Sequence, residues 1–135
     1  MSFVAINWLA VIVAAVVAFF IGAVWYSFLF RTQWMAAIGA PAADRPATAL
    51  PRLLAINFSG NLLLAIVLAE FLAALGDVTF ASGVTIGLVA WVGFVANVLA
   101  VNYAFANRPR LLTLIDGGHW LVVLVVSGAI IGLFG

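Results

Sequence analysis

Apolar residues in this chain fall into four long blocks, separated by short stretches that carry nearly all the charge. The blocks run from Phe3 to Phe30, Leu53 to Leu75, Ser82 to Ala106 and Leu111 to Phe134. At a rise of about 1.5 Å per residue, some 20 such residues cross the hydrocarbon core of a bilayer. Backbone polar groups in lipid must be paired within a helix or around a closed barrel. Runs such as Leu9 to Ile21 lack the alternation of barrel strands. The pattern therefore predicts an all-α integral membrane protein, four transmembrane helices bundled as a single domain over residues 1–135. No Arg or Lys precedes the first block, which is far longer than a signal-peptide core, so it is expected to be a retained helix.

Composition sharpens this. The 135 residues are 68% hydrophobic and 7% charged, against about 25% charged in a soluble domain, so the chain cannot clothe itself for water. Five Arg, no Lys and four acidic residues leave a net charge of +1. That is too little to displace counterions from a phosphate backbone, and no nucleic-acid partner is expected. Without cysteine, disulfides, thiolate metal sites and cysteine nucleophiles are excluded.

The charges also orient the blocks. Arg31, Arg45 and Arg52 lie between the first and second, and Arg108 and Arg110 between the third and fourth. The second connection holds only Asp77. All five arginines thus belong to one side, which the positive-inside rule makes cytoplasmic, with both termini outside. In the long connection 31–52, Arg31, Trp34, Met35 and Ile38 share one side of a short helix, with Gly39 and Pro41 as stop signals. An interfacial helix and a plain loop anchored by Trp34 both fit; Ala40 to Pro51 reads as an extended linker.

A repeat is visible. Ala23-Val24-Trp25-Tyr26-Ser27-Phe28-Leu29-Phe30-Arg31 matches Ala100-Val101-Asn102-Tyr103-Ala104-Phe105-Ala106-Asn107-Arg108 at five of nine positions. Pro51-Arg52-Leu53-Leu54 likewise matches Pro109-Arg110-Leu111-Leu112. Two tandem helical hairpins related by an axis along the membrane normal would give this pattern; so would convergence of interfacial Tyr, Phe and Arg. Small residues recur at four-residue spacing in Ala10, Ala14, Ala18 and Gly22, in Gly83 and Gly87, in Ala96, Ala100 and Ala104, and in Gly128 and Gly132. Such ladders let helix backbones approach. More are present than one bundle needs, which predicts a homo-oligomer.

Polar residues inside a membrane are costly and are functional candidates. Counting inward from the arginine side, Tyr26, Asn57, Asn102 and Asp116 share one level, and Asn61, Asn97 and His119 a deeper one. Trp25 lies beside Tyr26, while Glu70 stands alone near the opposite surface. Between these layers the blocks are apolar save for Trp91, predicting a dry centre. The cluster reads either as hydrogen bonds that cross-link helices or as a polar vestibule for an ion or small solute. Asn97 and Asn102 are about 140° apart around a helix, so one narrow cavity cannot take both. Asp116 and His119, three residues apart, share a face, and the acid could orient the imidazole. One His with scattered carboxylates makes a poor metal set, and no nucleophile is poised beside it. No metal, cofactor or enzymatic activity is expected, and Gly117-Gly118 reads as a packing feature.

Ile6-Asn7-Trp8-Leu9-Ala10-Val11, Gly22-Ala23-Val24-Trp25-Tyr26-Ser27, Trp34-Met35, the Gly93-Phe94-Val95-Ala96 run with Asn102-Tyr103, and Asp116-Gly117-Gly118-His119 together resemble a bacterial family of small membrane proteins, domain of unknown function 1761. Its members often have Pro where this chain has Phe28, and Asn-Ala-Gly-Tyr-His around the position of Asp116. The resemblance implies a four-helix protein of the bacterial inner membrane and brings no reaction or ligand with it. The expected function is permeation or transport of an ion or small polar solute through a cytoplasm-facing vestibule. A structural or accessory role in a larger membrane complex is the alternative, and binding of a lipid or quinone-type ligand a further one.

Overall fold

The computed structural model describes residues 6–39 and 45–135. The beginning of the first predicted block, the Pro41 stop signal and part of the Ala40 to Pro51 linker lie outside these. The first span, Trp8–Leu29, is helix α1 (Trp8–Val24) continued by one π-helical turn, Trp25–Leu29. Asn7 caps it, accepting the Ala10 N–H at 3.2 Å, and donates through Nδ2 to the Phe134 carbonyl at 3.1 Å. Helix α2 (Arg31–Ile38) is the expected short helix of the long connection and stops at Gly39, whose φ of +81° suits glycine.

A 3₁₀ turn, Ala47–Ala49, leads into α3 (Leu50–Leu75). This helix starts ahead of the expected Leu53 because Pro51 sits in its first turn, where a missing N–H costs nothing. The third span, Phe80–Phe105, is α4 (Phe80–Ala90), a π-helical stretch Trp91–Ala96, and α5 (Asn97–Phe105). It too begins earlier than the apolar run suggests, because Thr79 and Ser82 form a capping box. Helix α6 (Arg110–Phe134) completes the bundle.

Among the described residues, four helices are thus long and apolar enough to cross a membrane. Helices α3 and α6 touch each other at the centre; α1 packs against both, and α4 packs against both. The first and third spans therefore hold equivalent places beside a central pair, as tandem hairpins would. Arg108 reaches across to the Ile38 carbonyl at 3.5 Å and α2 packs on α6, so the arginine-bearing connections share one end of the bundle. The middle is apolar, built on Val11, Ala14, Ala65, Leu68, Leu72 and Leu124.

Small residues explain how tightly the helices meet. Hydrocarbon tails are as apolar as Leu, so association in lipid depends on packing contact rather than on the hydrophobic effect. Ala10, Ala14, Ala18 and Gly22 are all buried within the protomer. A Cβ on Gly83 would run into the backbone carbonyl of Gly128, one on Gly128 into that of Gly83, and one on Gly132 into that of Thr79. Gly87 faces the Leu124 backbone in the same way. Three of the four ladders are therefore engaged inside one chain. Of the fourth, Ala100 and Ala104 lie on the exposed side of α5.

Gly83→Ala and Gly128→Ala are each expected to lower stability by about 1–3 kcal/mol, because backbone must move to admit the methyl group. Gly60→Ala, where a Cβ meets nothing within 4 Å, should instead gain up to about 1 kcal/mol from helix propensity. Denaturant unfolding in detergent micelles measures all three.

Candidate functional site

Asp116 lies about 9 Å along α6 from Arg110 and is only 9% exposed. A carboxylate there is tolerable only if hydrogen-bonded. Two tyrosines meet that need from different spans. The Tyr26 hydroxyl, on the π-helical turn of the first span, donates to Oδ1 at 2.6 Å. The Tyr103 hydroxyl, on α5, donates to Oδ2 at 2.8 Å. Tyr26 and Tyr103 are matched positions of the sequence repeat, so equivalent side chains of the two hairpins grip one acid.

Tryptophans brace the same segment of α6. Trp25 Nε1 donates to the Ile115 carbonyl at 3.0 Å, and Trp91 Nε1 to the Gly117 carbonyl at 2.8 Å. A Cβ on Gly118 would come within 3.1 Å of the Trp25 indole, so this glycine lets the ring lie against the helix; at Gly117 the space is open.

His119, one turn beyond Asp116, is 4% exposed, and neither ring nitrogen has a hydrogen-bond partner. Its ring lies among aromatics, with centroids 5.0 Å from Tyr26, 4.8 Å from Trp120 and 6.2 Å from Trp25. Asn61 Nδ2 donates to Asn57 Oδ1 at 2.9 Å, leaving Asn61 Oδ1 buried and unpaired. His119 and Asn57 converge on Gly22: a Cβ there would stand 3.3 Å from His119 Nε2 and 3.6 Å from Asn57 Nδ2. These residues border a cleft of about 400 Å³ between the first span, the start of α3 and α6, walled by Phe19, Tyr26, Trp34 and Trp120, with Arg45 also on its lining.

The family model described as protein of unknown function (DUF1761) matches residues 9–132. The chain belongs to that family. No curated protein and no solved structure matches it.

In this DUF1761 protein the structure brings together Trp25, Tyr26, Asn57, Asn61, Asp116 and His119. It does not bring in Asn97 or Asn102. Asn97 is exposed on α5 and donates to its own helix at the Gly93 carbonyl, 2.9 Å away, and Asn102 is exposed. Their depth matches the cluster, but rotation about the helix axis carries both off the face that meets α6. That face presents Tyr103 instead, a residue that depth counting overlooked although the repeat pairs it with Tyr26. A second correction concerns the expected Asp116–His119 pair. Both carboxylate oxygens are taken by tyrosines, and the imidazole is left unpaired. Glu70 is buried far along α3, with Oε1 lacking a hydrogen-bond partner, and is not on the cleft.

Tyr26→Phe and Tyr103→Phe should each destabilise the protein by about 1 kcal/mol, within the range for hydrogen bonds between membrane helices. The double variant should lose more than the sum, since the carboxylate then has neither hydroxyl donor. A double-mutant cycle on unfolding free energies tests this.

Proposed function

We propose that this protein takes a small polar solute or ion into the cleft and passes it across the membrane, a permeation or transport function. The observation that carries the reading is His119, whose two ring nitrogens are buried and unpaired beside a 400 Å³ opening. Leaving a buried polar group unsatisfied costs about 1–3 kcal/mol, which a bound solute would recover. Catalysis fits the arrangement poorly, because the acid that could orient the imidazole is held by Tyr26 and Tyr103. By the positive-inside rule the cleft faces the cytoplasm of a bacterial cell, with both termini outside the inner membrane.

Packed apolar side chains lie beyond His119 towards the opposite end, so passage requires the spans to move rather than a standing pore. The first and third spans flank the central pair and are the natural moving parts. Ala96, Ala100 and Ala104 on the third span favour self-association, and equally favour an accessory role beside another membrane protein. Grooves between α3 and the third span, lined by Leu63, Val67, Phe71 and Phe94, suit acyl chains; their walls hold almost no polar group to recognise a quinone or lipid head.

Purified protein in liposomes should give a solute flux above empty vesicles in a broad screen. That flux should fall at least tenfold in His119→Ala and stay unchanged in lipid-facing Asn97→Ala. Absence of flux for every solute, with stoichiometric foreign partners after gentle extraction, would overturn transport in favour of the accessory role.

A further inference from the structure

Resting on the cleft as a binding site, we propose that its ligand is a small organic cation of the alkylammonium class. Three independent features point there. The first is the wall. Tyr26 and Trp34 lie with centroids 5.2 Å apart, Tyr26 and His119 at 5.0 Å, and His119 and Trp120 at 4.8 Å, with Phe19 on the same lining. Aromatic faces carry negative electrostatic potential, and several around one space attract a cation whose charge is spread over carbon.

The second is the charge behind the wall. Asp116 accepts hydrogen bonds from two neutral hydroxyls; these solvate the carboxylate but do not neutralise it. Tyr26 links this acid to the cleft, being both its donor and part of the lining. Arg45 has the opposite sign, but it is exposed on the connection outside the spans. Its field is screened by water and salt within about 8–10 Å, whereas that of a buried carboxylate acts through a medium of low effective dielectric. The buried charge therefore sets the sign of the inner cleft.

The third is an open acceptor. A neutral imidazole has one nitrogen lone pair to offer; both His119 nitrogens are unpaired, and His119 is on the cleft lining. An ammonium N–H donates to such an atom. A bare metal ion would call for several oxygen ligands, and these walls offer mainly aromatic and aliphatic carbon. At about 400 Å³ the space falls at the small end of ligand pockets.

The test uses the full chain in nanodiscs of zwitterionic lipid at constant ionic strength. Tryptophan fluorescence is followed while triethylammonium (which keeps one N–H), acetate or tert-butanol is titrated in. Triethylammonium alone should give a saturable response, weakened on the order of tenfold or more in Asp116→Asn. Trp34→Ala, on α2 rather than in one of the four spans, should weaken it as well. Arg45→Ala removes a like charge from the lining and should raise the affinity, and lipid-facing Asn97→Ala should leave it unchanged. A response to acetate that Arg45→Ala abolishes, or to tert-butanol that His119→Ala abolishes, would overturn the cation while leaving the cleft as a binding site. Triethylammonium affinity unaltered in both Asp116→Asn and Trp34→Ala would also overturn it. If none of the three probes responds, the alkylammonium assignment falls, and the liposome flux screen decides the transport reading separately.

Discussion

A carboxylate inside a membrane-spanning helix has to find donors, and around Asp116 they come from two different spans. Tyr26 and Tyr103 each hold one oxygen. That constraint fixes the rotation of α6 relative to both flanking spans at the arginine end. Tyr26 can reach the acid only if the end of the first span lies against α6, which in turn brings Trp25 onto Gly118 and His119 beneath the aromatic rings. The cleft is what remains when α1 and α3 meet α6 in this way with small residues, Gly22 among them, at the point of convergence.

Away from this end the bundle is held by contact rather than by polarity. Gly83, Gly87, Gly128 and Gly132 bring α4 and α6 to backbone contact, and the buried face of α1 is largely Ala. In a bilayer this is the available route to tight packing, since apolar side chains gain nothing by leaving lipid for one another. The consequence is a division of labour along the membrane normal. One end is cross-linked by hydrogen bonds and opens into a cleft; the middle is dry and closely packed.

The same division bears on mechanism. On the proposed transport reading, a solute entering at this end crosses the apolar middle only if helices shift. Tyr26 of the first hairpin joins it to Asp116 of the second, so relative motion of the hairpins would have to loosen that bond. Both flanking spans depart from regular helix in π-helical turns, at Trp25–Leu29 and Trp91–Ala96. Such turns recur at functional sites in helical proteins.

Much of this was written in the chain. Unbroken apolar blocks determined four spanning helices, because lipid leaves the backbone no other way to pair its polar groups. The arginines of two connections determined which ends lie together, because crossings alternate direction. Depth along each helix was equally legible, since a constant rise turns residue number into height, and it placed Tyr26, Asn57 and Asp116 at one level and His119 at a deeper one. Rotation was not legible: nearly every face of these helices is apolar, so no polar stripe announces which side turns inward. Only packing decided that Tyr103 rather than Asn102 meets Asp116, that Asn97 faces outward, that His119 is left without its acid, and that three small-residue ladders close the bundle upon itself. Height follows from the geometry of one helix, whereas azimuth is set by the neighbours against which that helix is pressed.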